Sequence, residues 1–180
     1  MSHRSAEELN AGLAEVARSP MGTGTLELIV RRPVVDEREV RETAELDLEV
    51  GLVGDNWSGR GTPDPDRQLT LMNARAAALV AVDSERWPLA GDQLYVDLHL
   101  GGAELPPGTR LAIGDTAVIE VTDKPHTGCA KFSARFGVDA LRVVNSPPGR
   151  ALNLRGINAR VVTPGTIRIG DKVAVSDGGG

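Results

Sequence analysis

The sequence predicts a mainly β fold of the α+β class: a closed β-barrel with a few peripheral helices and an N-terminal helix. Three observations predict it. Short apolar-polar runs recur from Gly24 to Val175, bounded by Gly, Pro or Asp. Helical spacing is confined to brief stretches. Of 180 residues 41% are hydrophobic but only 3% aromatic, so the core must be built from Val, Leu, Ile and Ala. Many short strands with few helices to cover them lose their open edges most simply by closing into a barrel. No long Pro/Gly/Ser linker divides the chain, which places a helical extension over residues 1–22 and one barrel domain over 23–177.

Each element has its own signal. From Ser5 to Arg18, apolar Leu9, Leu13, Val16 and Ala17 have helical spacing, Ser5 and Glu8 form a capping box, and Pro20 and Gly22 stop the helix. Gly24 to Arg32 reads as a strand ended by Pro33. Thr43 to Val53 puts Leu46, Leu48, Val50 and Leu52 on one strand face. Trp57 to Asp66 reads as a loop and Gln68 to Met72 as a short strand. Asn73 to Val82 is a helix with Asn73 as its cap. Gln93 to Leu98 alternates as a strand, and Pro106, Pro107 and Gly108 make a turn. Arg110 to Val121 and Thr166 to Val175 each read as a hairpin around a Gly-Asp pair, which suits a type II′ turn. Between them, Lys131 to Val144 holds one short helix, and Gly178 to Gly180 a flexible end.

Composition narrows the function. A net charge of −5 and few aromatics disfavour nucleic acid and anionic membranes as partners, since those sites need basic surfaces or stacking platforms. No run approaches the roughly 20 apolar residues of a membrane span. Residues 1–19 carry Glu7, Glu8 and Glu15 and lack the apolar core of a signal peptide. A single cysteine forms no internal disulfide and fits a reducing compartment. A cytoplasmic protein is expected.

That cysteine, Cys129, is the leading chemical candidate. It lies in Asp123-Lys-Pro-His-Thr-Gly-Cys-Ala-Lys131, after a strand and before an expected helix. A helix N-terminus lowers a thiol pKa, and His126 and Lys131 can add to the effect; a thiolate is both nucleophile and metal ligand. A lone cysteine is also commonly inert core filler, and the polar, glycine-bearing loop leaves the two readings about level. His126 and Cys129 are too few ligands for a structural zinc site, which needs four. From Lys131 to Arg160 only Asp139 is acidic, against Arg135, Arg142, Arg150, Arg155 and Arg160. With Asn153 and Asn158 as polar partners, the run suits a local anion site, because guanidinium forks match phosphate oxygens. It equally suits a solvated face with ordinary ion pairs. The nucleophile-elbow, phosphate-loop and dinucleotide motifs are absent.

The run RLAIGDTAVIEVTDKPHTGCAKFSARFGVDALRVV, then GRALNLRGINARVVTPGTIRIGDKV, resembles the core of MOSC domains, the C-terminal domains of molybdenum cofactor sulfurases. GDQLYVDL, LPPGTRLAIGD and DRQLTLMN resemble small stand-alone members; the resemblance spans about residues 24 to 175. It implies a MOSC-type closed β-barrel. It implies that Cys129 matches the family cysteine that carries sulfur as a persulfide or ligates molybdenum, with His126 and Lys131 tuning the thiol. By analogy Arg67, Arg150, Asn153, Arg155 and Arg160 would hold the phosphate of a molybdenum-pterin cofactor. The implied activity is sulfurtransferase-like, or that of a molybdenum-dependent oxidoreductase reducing N-hydroxylated compounds. The alternative is a non-catalytic cofactor carrier. No pyridoxal-phosphate desulfurase or ferredoxin-like segment is recognisable, so a separate cysteine desulfurase or electron-transfer protein is the expected partner. Many members carry a His-Gly-Gly segment where this chain has Gly59-Arg-Gly-Thr-Pro-Asp-Pro-Asp-Arg67, a departure that bears on the reductase activity in particular.

Overall fold

The structure, a computed structural model, describes residues 3–176; the expected flexible end at 178–180 lies outside them. The chain opens with α1 (Ala6–Ala11) and α2 (Leu13–Ala17), followed by β1 (Thr23–Arg31), β2 (Glu39–Arg41), β3 (Thr43–Asp47), β4 (Gly51–Leu52) and β5 (Leu69–Asn73). Then come α3 (Ala74–Ala81), β6 (Leu94–Asp97), β7 (Arg110–Ile113) and β8 (Ala117–Val121). Three helices, α4 (Ala130–Phe136), α5 (Val138–Asn145) and α6 (Pro147–Ala151), precede β9 (Ile157–Thr163), β10 (Gly165–Arg168) and β11 (Lys172–Ser176). Short 3-10 turns cover Trp57–Gly59, Pro65–Arg67 and Ser84–Ala90. No helix of the described residues is long and apolar enough to cross a membrane.

Seven strands close into a barrel in the order β1-β11-β7-β8-β9-β5-β6, with β2 paired outside β1. The closing seam is β1 on β11, in the register Thr23↔Ala174 to Thr25↔Lys172. Every pair is antiparallel except β5 with β6; the crossover between those two carries α3. The barrel is filled by aliphatic side chains, among them Leu26, Leu71, Leu94, Leu111, Ile119 and Val173. A separate sheet, β10-β3-β4, adds Leu46, Leu52 and Ile167 to that core. A second apolar layer joins the barrel wall to the helices, and most of the few aromatics gather there: Tyr95, Phe132 and Phe136 pack with Leu9, Val16 and Met72.

Several expectations are corrected by tertiary context. The helix expected from Ser5 to Arg18 keeps its capping box but breaks at Gly12, where a Cβ would lie 2.3 Å from a Leu79 methyl. The strand expected over 43–53 is β3, a turn and β4. The Asp47 carboxylate accepts the Glu49 and Val50 N–H groups, which turns Leu48 out to 53% exposure. The segment 166–175 is not a hairpin: β10 pairs with β3, whereas β11 pairs with β7 and β1. Its resemblance to β7–β8, a true hairpin with Ile113 opposite Ala117, is local only. That hairpin turns through three residues rather than two. β6 is buried along nearly its whole length instead of alternating, because it lies between two strands with the helical layer outside. The single helix expected from Lys131 to Val144 is split into α4 and α5 by Gly137, at φ +97°.

Candidate functional site

The segment between β8 and α4 crosses one end of the barrel and is pinned along its length. Asn158 donates to the Lys124 carbonyl at 3.1 Å, and Arg67 to the Pro125 carbonyl at 3.3 Å. His126 donates through Nε2 to the Asp92 carboxylate at 2.7 Å. The Asn145 side chain accepts from the Gly128 N–H at 3.0 Å and donates to its carbonyl at 3.2 Å. A Cβ on Gly128 would meet Leu141 and Val144 at under 3 Å, so this glycine lets the loop press against α5 rather than against a ligand. So held, Cys129 becomes the N-cap of α4, with an exposed thiol.

Cys129 lines a cavity of about 450 Å³. Six cations share its wall: Arg32, Arg38, Arg60, Lys131, Arg135 and Arg155. The thiol pKa lies below the ordinary value. The N–H of Phe132 contributes most to this, burial opposes it, and the Lys131 N–H and the charges of Arg155 and Arg135 reinforce it. Two of the six cations are matched by buried carboxylates. Arg32 grips Asp55 at 2.8 and 2.9 Å. Arg155 pairs with fully buried Asp92 and lies over the Phe132 ring at 5.2 Å. Arg135 stands 3.7 Å from Asp36, an exposed carboxylate. Arg38, Arg60 and Lys131 have no carboxylate partner among the described residues. Burial, then like charge, lowers the pKa of Arg38 beside Arg135 and Arg32 and that of Arg60 beside Arg32. A guanidinium does not deprotonate in such a setting, so the cluster is better satisfied by a bound anion.

The sequence-predicted residues divide. Cys129, Lys131 and Arg155 meet at the cavity. His126 does not line it; it stands behind Arg155, on the other oxygen of Asp92, and faces a neighbouring cleft that also takes Arg150, Asn153 and the rear of Arg155. Arg67 is committed to Asp64 and Pro125. Arg160 projects outward from β9 onto Glu120, its cross-strand partner on β8. Asn153 donates to the Leu100 carbonyl. The basic run from 131 to 160 is thus not one patch.

Sequence reasoning missed Arg32, Arg38, Arg60 and Arg135 as a set. Arg60 comes from the Gly59–Arg67 stretch that departs from the His-Gly-Gly pattern, and Arg32 and Arg38 flank the turn after β1. Among the described residues no three His, Cys, Asp or Glu side chains group as metal ligands. A metal at Cys129 would have to arrive with its other ligands attached, as one carried by an organic cofactor does.

The fold and site together define a closed barrel with an accessible thiol at one end, facing a cation-lined cavity. Residues 59–174 match the MOSC domain, and the chain belongs to that family. Among solved structures it is similar to the YuaD protein of Bacillus subtilis, at 16% identity over 86% of this chain and 97% of that one, with TM-score 0.61. It is also similar to YiiM of Escherichia coli, at 20% identity over 88% and 71%, TM-score 0.56. YiiM of Geobacillus stearothermophilus is 12% identical over 87% and 75%, TM-score 0.53. These likenesses establish the fold. No curated protein matches the sequence.

Proposed function

We propose that the cavity takes the phosphate-bearing pterin form of the molybdenum cofactor, and that Cys129 acts there as sulfur carrier or as thiolate ligand to the metal. One observation carries the reading: an exposed, acidified thiol shares a cavity with three cations that lack carboxylate partners. A phosphate monoester brings a charge of about −1.5 to −2 at neutral pH, and a thiolate adds one more. Together they roughly match Arg38, Arg60 and Lys131. Those three would hold the phosphate with Arg135, while Arg155 stays with Asp92 and favours the thiolate. The cofactor, when bound, supplies the metal's redox chemistry. This chain's residues would orient the phosphate and favour the thiolate form of Cys129. In sulfur transfer the Cys129 thiolate attacks the outer sulfur of a donor persulfide. A new S–S bond forms, and the donor's thiolate leaves with the old bonding pair. A separate cysteine desulfurase fits the role of donor, and a separate electron-transfer protein would serve a reductase.

The carrier reading is favoured by a second observation. Among the described residues no histidine lines the cavity and its one carboxylate, Asp36, stands beside Arg135, so general acid–base chemistry finds no imidazole beside the thiol. The test is molybdenum and pterin content of freshly purified protein, with intact mass for one added sulfur atom. Wild type should carry cofactor or sulfur. Cys129→Ala should lose the added sulfur or the metal while melting within a degree or two of wild type. A Cys129→Ala protein with undiminished sulfur and metal would overturn the role given to the cysteine.

A further inference from the structure

Four of the cavity's arginines end on four consecutive carbonyls. Arg38 Nε donates to Pro88 O at 3.1 Å and Arg135 Nη1 to Leu89 O at 2.8 Å. Arg155 Nη2 donates to Ala90 O at 2.8 Å, and Arg32 Nη1 to Gly91 O at 3.0 Å. The arginines come from four places in the chain: the end of β1, the loop after it, α4, and the approach to β9. The carbonyls belong to the end of the Ser84–Ala90 3-10 turn and the glycine that closes it. A helical end leaves carbonyls short of intrahelical partners, and here arginine side chains take them in order, Pro88 O also accepting the Gly91 N–H at 3.1 Å. Gly91 adopts φ +90°. A Cβ built on it would lie 3.7 Å from Arg38 Nη2 and 3.9 Å from Arg135 Nη1, so these two guanidinium groups converge above it.

We propose that the Pro88–Gly91 segment is the positioning element of the anion site, a rack that spreads the arginines into binding geometry before any ligand arrives. The proposal rests on the cavity being the anion site described above. Each guanidinium is planar and carries several donors in a fixed fork. An arginine can spend one arm on a carbonyl and present another to an oxyanion, with the angle between them set by covalent geometry. A lysine carries its three donors on one nitrogen at the end of a flexible stem, so it serves a carbonyl and an oxyanion together only where both lie within about 3 Å of that single atom, with no fixed angle between them. The rack therefore requires arginine at positions 38 and 135, not merely positive charge. Preorganisation of this kind raises affinity by lowering the ordering cost of binding.

The experiment replaces guanidinium by ammonium at constant charge. Inorganic phosphate is titrated calorimetrically into wild type, Arg38→Lys, Arg135→Lys and, as a control, Arg142→Lys, an exposed arginine of α5 outside the cavity wall. Protection of Cys129 from iodoacetamide by phosphate is followed alongside, and melting temperature reports folding. Wild type should bind phosphate and be protected. Arg38→Lys and Arg135→Lys should each lose affinity at least tenfold while remaining folded, and Arg142→Lys should change less than threefold. If both rack variants are folded and bind as wild type does, charge alone suffices and the rack has no positioning role. If Arg142→Lys loses as much as they do, contact with the carbonyls is not what matters, and the proposal falls. Should either rack variant fail to fold, Arg38→Gln decides instead: it retains one arm for the Pro88 carbonyl, and wild-type affinity in it refutes the rack. Wild type that neither binds phosphate nor gains protection refutes the reading of the cavity itself.

Discussion

Cys129 could be singled out in the sequence because its neighbours are wrong for a core. Histidine, threonine, glycine and lysine surround it, and the structure leaves the thiol exposed. What the sequence left open was the balance of forces on the sulfur. Two backbone N–H groups at the start of α4, with Arg155 and Arg135 across the cavity, outweigh what burial does to raise its pKa. His126, which the sequence places three residues away, is instead bonded to Asp92. Sequence proximity and spatial proximity part company because a residue at an extended cap and one in the loop before it point to different sides. The rate of Cys129 alkylation by a small reagent, followed against pH, should titrate below the free thiol value of about 8.5. High salt should move it upward, since part of the effect is long-range charge. An apparent pKa at or above the free value removes the electrostatic argument for a thiolate.

At the scale of elements, local signals were read well where one segment settles its own state. Asn73 caps α3 through the N–H groups of Arg75 and Ala76, and β7–β8 turns where Gly114 and Asp115 stand. They misled where the partner decides. Nothing inside Thr166–Val175 tells β10 to join β3 and β11 to join β1, because the choice follows from closing the barrel. Glycines follow the same division. Gly149 and Gly156 allow close backbone approach, and it is onto protein: a Cβ on Gly149 would fall 2.0 Å from Val143 O, and one on Gly156 2.3 Å from Leu71 O. Gly156, at φ +127°, joins Arg155 to β9, and its Cβ would also meet the His126 ring at 2.9 Å. Gly156→Ala should therefore cost about 2 kcal/mol or more, since overpacking adds to backbone strain. Gly108→Ala provides the contrast: φ is +92° but nothing lies within 4 Å, so only strain of about 1 kcal/mol is expected. Denaturant midpoints compare the two. Equal losses would mean that contact with Leu71 and His126 is not what excludes a side chain at 156.

At the scale of the whole molecule, the cavity exists because barrel closure gathers one end of β1, the 57–67 loop, the 3-10 turn and α4. No local pattern links Arg32 to Arg135 across a hundred positions, and this is why a basic run contiguous in sequence was easier to see than the one assembled in space. The assembly is tied by two buried carboxylates, Asp55 on Arg32 and Asp92 between Arg155 and His126. Burial alone would raise both pKa values. For Asp55 the hydrogen bonds and charge of Arg32 outweigh it; for Asp92 the charges and hydrogen bonds of Arg155 and His126 do, and hold it at about 2. A carboxylate whose folded pKa is depressed contributes stability above its unfolded pKa, here 3.8, and that contribution is lost as pH falls toward the folded value. Wild-type unfolding free energy should thus hold steady as pH drops toward 4 and fall between about pH 4 and 2. Asp92→Asn separates this term from the other acids. It keeps the shape but leaves Arg155 buried without its countercharge, which should cost about 3 kcal/mol or more at neutral pH. It should also flatten the acid limb, because the group whose protonation supplied part of the slope is gone. The gap between variant and wild type is then widest at neutral pH and narrows toward pH 2. Urea unfolding at a series of pH values measures the gap directly, and one that stays constant down to pH 2 would show that Asp92 does not hold the arginine cluster together through its charge.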